Sequence, residues 1–136
     1  MSDYQRVIAM SRYARWSEEN QRRETWQETV TRLLNFYRDY LKDKHEYVMP
    51  KELYTDLYVA IVTMQVMPSM RAMMTAGPAL ERNHIAAYNC SYMPVDSPRA
   101  FDECLYILMH GTGVGFSVER QHIAQLPKVP DEFDDS

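Results

Sequence analysis

The sequence is poor in the features of secreted, membrane-spanning and nucleic-acid-binding proteins. Its 136 residues include only two cysteines, whereas small secreted scaffolds depend on several disulfides. The formal net charge is −4, while nucleic-acid-binding domains usually carry a clear basic excess. No apolar run approaches the roughly 20 residues of a membrane span, and the opening MSDYQRV has no apolar signal core. We therefore expect a cytoplasmic protein with no nucleic-acid partner and no membrane partner.

Metal ligands are also sparse, whereas methionine and tyrosine are abundant. The four histidines are scattered, at positions 45, 84, 110 and 122, and metal sites bring several ligands together, so we expect no metal site. Methionine and tyrosine occur ten times each, and hydrophobic residues make up 46% of the chain. Because methionine fills irregular apolar gaps, this composition predicts a packed core in one globular domain or in a piece of a larger one.

The first half of the chain predicts two helices. Apolar residues recur every three or four positions over residues 23 to 43 and over residues 50 to 66, so each segment has one apolar stripe. Pro50 suits the first turn of the second helix, where a missing N–H costs nothing. Pro68 is predicted to end that helix, because the residue before a proline is pushed out of the helical conformation.

The segments around these helices predict less regular structure. Residues 1 to 20 are mostly polar with scattered aromatic side chains, which predicts a loosely held arm. Residues 67 to 83 show no steady hydrophobic period and contain the turn signal Gly77-Pro78. We interpret them as a connection that buries a cluster of methionines.

The second half predicts a crossover unit of a parallel sheet. Residues 85 to 93 and 114 to 119 are predicted strands, and the helix between them is predicted to start at Ser97-Pro98 and to stop at Gly111. A parallel sheet needs further strands and helices to cover both faces, so the sequence predicts an incomplete sheet. The apolar residues of the helix share one face: Phe101, Cys104, Leu105 and Leu108.

Three glycines at alternate positions, Gly111, Gly113 and Gly115, follow that helix. Dinucleotide and phosphate-binding loops instead precede a helix, whose N-terminus faces the phosphates, and this stretch has no P-loop Lys-Ser or Lys-Thr pair. Two interpretations remain from the residues alone. The glycines serve as a helix stop and a closely packed strand, or they leave the backbone bare so that a ligand can lie against it.

The two cysteines are predicted to lie in different surroundings. Cys90 falls in the predicted strand that the crossover places beside the glycines, so it is either a small buried residue or a thiol at a reaction site. Cys104 lies on the apolar face of the helix, which favours a core thiol. Nothing in the pattern brings the two within disulfide reach.

Three stretches together resemble one family: MPSMRAMMTAGPAL, AAYNCSYM and FDECLYILMHGTGVGFSVERQHIAQLPKV. They are similar to the N-terminal part of the large catalytic chain of ribonucleotide reductases, closest to the adenosylcobalamin-dependent class II and its monomeric triphosphate-reducing branch. The resemblance implies an α/β fragment: an N-terminal helical region, residues 1 to 84, followed at 85 to 136 by the first strand, helix and strand of a ten-stranded α/β barrel.

The resemblance also implies roles for individual residues. Cys90 matches one of two family thiols that help to protonate the departing ribose 2′-hydroxyl and then form a disulfide, after a thiyl radical on a further cysteine takes the 3′ hydrogen. Gly113 and Gly115 match positions where the backbone approaches the nucleotide sugar. The remaining matches line the substrate: Asn89, Ser69 and Met70, the last replacing the small hydroxyl residue of many relatives.

The resemblance implies that the chain is not competent alone. The radical cysteine, the partner cysteine and the C-terminal reducing pair have no counterpart here, so the expected partner is the remaining barrel segment, as a split chain or as a missing C-terminal part. The other expected partners are a ribonucleoside triphosphate substrate, a thioredoxin-type or dithiol reductant, and adenosylcobalamin bound mainly by the missing part. Two alternatives stay open: a class I diphosphate reductase, and a helical interaction module in which Cys90 is inert.

Overall fold

The computed structural model describes residues 1 to 129. The chain divides into two compact units, Met1–Ala87 and the part that begins at Tyr88. The first unit is helical, and the second contains a two-stranded parallel sheet with a connecting helix. The chain is therefore a helix-rich α/β fragment. The acidic stretch DEFDDS lies outside the described residues, and the assignment of residues 85 to 136 to a barrel stays a prediction.

The first unit begins with ordered structure rather than a loose arm. Helix α1 spans Asp3–Ile8, a π-helical turn follows at Ala9–Tyr13, and two short antiparallel strands pair, β1 (Trp16–Ser17) with β2 (Arg22–Arg23). The Arg15 side chain anchors this region by donating from Nε and Nη2 to the carbonyl of Met74, at 3.1 and 2.9 Å. The prediction of a loose arm was wrong because this anchor lies far away in sequence.

Helix α2, Trp26–His45, provides most of the core. It begins after a capping box: the Thr25 hydroxyl accepts from the Glu28 N–H, and the Glu28 carboxylate accepts from the Thr25 N–H. The sequence predicted a start at residue 23, and the helix begins three residues later, at Trp26. The centre of the apolar stripe is buried as the spacing predicted, at Val30, Leu33 and Leu34, whereas Tyr37 in the same stripe is exposed.

Helix α3, Lys51–Val62, packs against α2. Pro50 is its N-cap rather than its first helical residue. The helix ends well before Pro68, because Met64 adopts a left-handed conformation with φ 61°. The amides of Gln65 and Val66 then both donate to the carbonyl of Ala60, which closes the helix end. The prediction of a helix over 50 to 66, ended by Pro68, was therefore wrong at its C-terminal end.

The connection after α3 contains two short helices, α4 (Met70–Thr75) and α5 (Pro78–Arg82). Of its methionines, Met73 is fully buried against α2 and α3, whereas Met67 and Met70 are about half exposed. The predicted buried methionine cluster is therefore wrong for these two. The turn predicted at Gly77-Pro78 is confirmed, since Gly77 has φ 99° and precedes α5.

The second unit is a strand–helix–strand crossover: β3 (Cys90–Pro94), α6 (Arg99–Met109) and β4 (Gly113–Ser117), followed by α7 (Arg120–Ile123). The two strands pair in parallel, which confirms the predicted crossover. Gly111 is the left-handed residue after α6, with φ 78°, as predicted.

Three predicted boundaries in this half were wrong. The strand does not begin at residue 85, since His84–Ala87 forms a 3-10 turn of the first unit. Pro98 is the N-cap of α6, and Ser97 makes no side-chain cap. The second strand covers Gly113–Ser117 instead of 114 to 119, so Gly113 is a strand residue rather than a loop residue, and Gly115 lies in the strand as predicted.

Candidate active site

The parallel pairing of β3 and β4 places Cys90, the candidate reactive thiol, beside the glycines that were proposed to leave the backbone uncovered. Cys90 is the register partner of Gly113, and Tyr92 is the partner of Gly115. The Gly113 N–H donates to the carbonyl of Asn89 at 3.0 Å. The structure therefore brings Cys90, Gly113 and Gly115 together on two adjacent strands, with Asn89 directly before β3, and it confirms the expectation that Cys90 and the glycines are neighbours.

Two hydroxyl groups hold this register. The Thr112 hydroxyl donates to the carbonyl of Tyr88 at 2.8 Å, and the Thr112 side chain is buried. The Ser91 hydroxyl donates to the carbonyl of Gly113 at 3.2 Å. Sequence reasoning missed both residues. The sequence did contain one signal for Thr112: this hydroxyl residue stands between Gly111, which follows α6, and Gly113, the first residue of β4.

The four facing residues of this sheet are open to solvent. Side chains alternate along a strand and register partners share a face, so Cys90, Tyr92, Gly113 and Gly115 lie on the same side of the sheet. All four are exposed within the described part of the chain. With hydrogen atoms in place of side chains on β4, the Cys90 thiol borders a strip of bare backbone. Such a surface lets a flat ligand lie against the strand with the thiol at its edge.

The chain's own packing does not require glycine at these two positions. A Cβ atom added to Gly113 would lie 3.6 Å from the Asn89 carbonyl oxygen. A Cβ added to Gly115 would lie 3.7 Å from the Ser91 carbonyl oxygen and from the Tyr92 ring. These are ordinary contact distances, and both glycines have extended backbone rather than positive φ. Of the two interpretations of the glycines, close packing within this chain therefore has no steric support.

Ser69 and Met70 lie in the first unit, at the start of α4. Ser69 is the N-cap, and its hydroxyl accepts from the Ala72 N–H at 3.5 Å. Both side chains are exposed. Cys104 is partly buried on α6 and is a free thiol, as is Cys90.

The described residues also contain a cavity apart from the glycine strip. This cavity of about 600 Å³ lies in the first unit between α1, β2 and the facing ends of α2 and α3, and its lining includes none of the predicted site residues. No group of three or more His, Cys, Asp or Glu side chains within residues 1 to 129 is placed to hold a metal ion. In the same residues, every helix is too short or too polar to cross a bilayer.

The structure resembles part of a known enzyme class. It is similar to the crystal structure of a B12-dependent, class II ribonucleotide reductase, with a TM-score of 0.74 and 28% sequence identity. The similar region covers 94% of this chain and 22% of that chain. The fold therefore corresponds to a small portion of a class II reductase.

Sequence comparisons agree with this structural similarity. The family model of the ribonucleotide reductase alpha domain matches residues 2–78. The adenosylcobalamin-dependent ribonucleoside-triphosphate reductases of Lactobacillus delbrueckii subsp. bulgaricus and Lactobacillus leichmannii are 28% identical to this chain, over 86% of its length. The chain belongs to the ribonucleotide reductase family, as the resemblance predicted. It spans 20% of the length of these relatives.

Proposed function

We propose that this chain is the N-terminal part of an adenosylcobalamin-dependent ribonucleoside-triphosphate reductase. In this role it contributes to the radical-based reduction of ribonucleotides to deoxyribonucleotides and acts together with the rest of the enzyme. The observation that carries the proposal is the pairing of Cys90 with Gly113 on an exposed sheet face. The names of the relatives support the choice of cofactor and of a triphosphate substrate.

Cys90 is the proposed catalytic residue of this chain. Its thiol supplies a proton to the departing ribose 2′-hydroxyl, which leaves as water. Its sulfur then forms a disulfide with a second cysteine on the remaining part of the enzyme. In total, the C2′–O bond is replaced by a C2′–H bond, and two thiols are oxidised to one disulfide. Thiols suit this step because they release a proton and are readily oxidised in pairs.

Gly113, Gly115 and Asn89 are the proposed contacts to the nucleotide sugar. The two glycines leave room for the ribose beside the Cys90 sulfur, which is supported by the ordinary distances found for an added Cβ. Asn89 is exposed next to Cys90, and its carbonyl is already engaged by the Gly113 N–H. Its side-chain amide therefore remains the group that we assign to the substrate.

Ser69 and Met70 are proposed to line the substrate from the first unit. Ser69 offers a hydroxyl, and Met70 offers an apolar thioether where many relatives have a small hydroxyl residue. This assignment follows from the family resemblance of the segment around them and from the exposure of both side chains.

The proposed partner is the remaining barrel segment of the reductase, either as a separate chain or as a C-terminal continuation. Within the described residues, β3 and β4 form a parallel sheet of only two strands. Parallel sheets are normally covered by helices on both faces. Large apolar side chains around these two strands are exposed, including Phe101, Leu105 and Phe116. These surfaces are where we place the next strands and helices of a ten-stranded barrel that starts in this unit.

The cofactor and reductant act mainly outside this chain in our proposal. Adenosylcobalamin supplies the radical that starts the reaction and is bound mainly by the remaining part of the enzyme. A thioredoxin-type protein or a small dithiol then reduces the disulfide that contains Cys90, by thiol–disulfide exchange.

Complementation tests the proposal. The chain is co-expressed with a second chain that supplies the rest of the barrel from a class II relative, and deoxynucleotide formation is measured with adenosylcobalamin, a nucleoside triphosphate and a dithiol. We expect activity from the pair, and loss of dithiol-supported turnover in Cys90→Ser. Cys104→Ser is the matched control and retains activity, because Cys104 lies on α6 away from the glycine strip.

Other outcomes would contradict the proposal in distinguishable ways. Activity that is equal in Cys90→Ser and wild type would remove Cys90 from the reaction. Activity with a diphosphate and a metal-cofactor partner, and none with adenosylcobalamin, would favour a class I reductase. No association with either partner would favour a helical interaction module with an inert Cys90.

A further inference from the structure

A nearly buried ion pair connects α2 to the segment before it. Arg32 donates to Glu24 through two parallel hydrogen bonds, Nε to Oε1 at 2.8 Å and Nη2 to Oε2 at 3.0 Å. Both side chains are only 15% exposed. Glu24 Oε2 also accepts from the Arg15 N–H and the Thr29 hydroxyl, both at 3.1 Å. Glu24 therefore fixes the plane of the Arg32 guanidinium and the position of Arg15.

The electrostatics show that Glu24 is held in its charged form. Burial by itself raises the pKa of Glu24, but this effect is outweighed by the hydrogen bonds from Arg32 and from the Arg15 N–H. The charge of Arg32 and the Thr29 hydroxyl act in the same direction, so the pKa of Glu24 lies below its ordinary value. The lowered pKa of Glu24 is consistent with the ion pair that the geometry shows.

Both arginines donate to the end of α4, and Arg32 Nη2 also donates to the carbonyl of Tyr13 at 3.2 Å. Arg32 Nη1 donates to the carbonyl of Ala76 at 2.9 Å, and Nη2 donates to the carbonyl of Met73 at 3.1 Å. Arg15 donates twice to the carbonyl of Met74. These carbonyls lie at the C-terminal end of α4, where backbone carbonyls have no helical N–H partner. They also carry the partial negative charge of the helix C-terminus. Two guanidinium groups therefore hold the C-terminal end of this short helix.

The opposite end of α4 carries two of the proposed substrate residues. Ser69 is its N-cap and Met70 its first residue, and the helix has six residues in all. A helix this short has little stability of its own, so its orientation depends on the groups that hold it. Contacts at the carbonyl end therefore affect where the other end of this short helix, with Ser69 and Met70, is placed.

We propose that Arg32, paired with Glu24, is a positioning residue that sets the placement of Ser69 and Met70 for the triphosphate substrate. The inference rests on the proposed function, since that function assigns these two residues to the substrate. Arg32 itself does not touch the substrate in this scheme. It acts through the carbonyls of Met73 and Ala76.

The test compares Arg32→Lys with Arg38→Lys in the complemented enzyme. Lysine keeps the positive charge but has no planar guanidinium group. Its single ammonium group cannot donate hydrogen bonds to Glu24 and to the two α4 carbonyls at the same time. We expect the KM for the triphosphate to rise about tenfold, with kcat changed less than about twofold. Arg38→Lys should leave both values unchanged, because Arg38 pairs with its exposed neighbour Asp39 at the surface. Glu24→Gln keeps the shape of the site while removing its charge, and we expect a smaller rise in KM.

A second measurement, on the chain by itself, separates this inference from the proposed function. Amide hydrogen exchange should become faster over residues 70 to 77 in Arg32→Lys, while residues 30 to 34 in the centre of α2 stay protected. If wild type has no reductase activity, the proposed function fails together with the substrate role that rests on it, while exchange still shows whether Arg32 holds α4. Unchanged exchange over 70 to 77, or a wild-type KM in an active Arg32→Lys enzyme, would overturn the positioning role. If Arg32→Lys does not fold, Glu24→Gln decides by the same two measurements.

Discussion

The main helices of the two units differ in how far their apolar faces are buried. In the first unit, the centre of the α2 stripe is buried, and Leu33 is 1% exposed. In the second unit, α6 has an equally regular apolar face, yet Leu105 is 61% exposed and Met109 is 84% exposed. Both helices are amphipathic, so the helical pattern alone does not distinguish them.

The difference teaches that the first unit contains its own core and the second does not. A cluster of buried residues from α2, α3 and α4 closes on itself in the first unit. The second unit has an open sheet and an open helix face within the described residues, with its thiol and glycines on the exposed side. Several large apolar side chains of α6 are exposed together, and apolar patches of this kind normally mark an interface. This contrast is the physical basis for assigning a partner to the second unit.

The largest expected effect lies in the core of the first unit. Leu33→Ala should lower the free energy of unfolding by about 2 to 5 kcal/mol, because it removes a buried side chain and leaves a cavity. The matched variant Leu105→Ala should change it by less than about 0.5 kcal/mol, as for a surface substitution. Urea unfolding followed by far-ultraviolet circular dichroism, to which the helices of both units contribute, measures both. Equal effects of the two variants would mean that the second unit has a core of its own.

The next effect concerns association. Leu105→Asp should weaken binding of the complementary barrel chain about ten- to hundredfold, because a charge replaces an apolar side chain that the partner would bury. The variant should leave the unfolding of the first unit unchanged. Binding is measured by titration of labelled chain with its partner, and Glu103→Gln on the exposed side of α6 is a control. Unaltered affinity in Leu105→Asp would place the partner on another surface.

A smaller effect separates activity from stability within the second unit. Gly113→Ala should leave the stability unchanged or raise it by about 0.5 to 1 kcal/mol, because alanine costs less entropy than glycine in a strand. Activity in the complemented enzyme should nevertheless fall about tenfold or more, since the methyl group occupies the space proposed for the ribose.

Gly111→Ala is the contrasting variant, and it should destabilise the unit because φ is 78° at this position. Thermal unfolding and a deoxynucleotide assay on the same preparations give both quantities. Full activity in Gly113→Ala would remove the bare backbone from the proposed site.

The smallest effect is a pH dependence of the first unit. Hydrogen bonds from Arg22 and from the Thr25 N–H lower the pKa of Glu28 from 4.5 to about 2. Between these values the folded state keeps Glu28 ionised while the unfolded state takes up a proton. The stability from this group is therefore complete above about pH 4.5 and is lost as the pH falls toward 2.

Glu28→Gln keeps the reach of the capping box but removes this titration. The stability difference between wild type and Glu28→Gln should be largest near neutral pH and should shrink as the solution is acidified to about pH 3. Urea midpoints at the two pH values measure it. A difference that does not depend on pH would mean that the Arg22–Glu28 pair does not form in solution.

Most helices and strands were predictable from the local sequence pattern, but the exact ends of several of them were not. The stripe of α2 and the parallel crossover were predictable because helix periodicity and the strand–helix–strand order are properties of adjacent residues. The end of α3 at Met64 and the anchoring of the N-terminal region by Arg15 were missed. Both depend on backbone conformation or on partners about 60 residues away, which no local period contains.

The candidate site likewise combines features that follow from the sequence with features that follow only from the tertiary structure. The sequence by itself determined the family, the two free thiols and the bare glycine positions, because these are properties of residue identity and spacing. Only the tertiary structure decided that Cys90 faces Gly113, since strand register is set by pairing across the sheet. Only the tertiary structure joined Arg32 to the carbonyls of α4, because a buried guanidinium takes its hydrogen-bond acceptors from whichever segments pack around it.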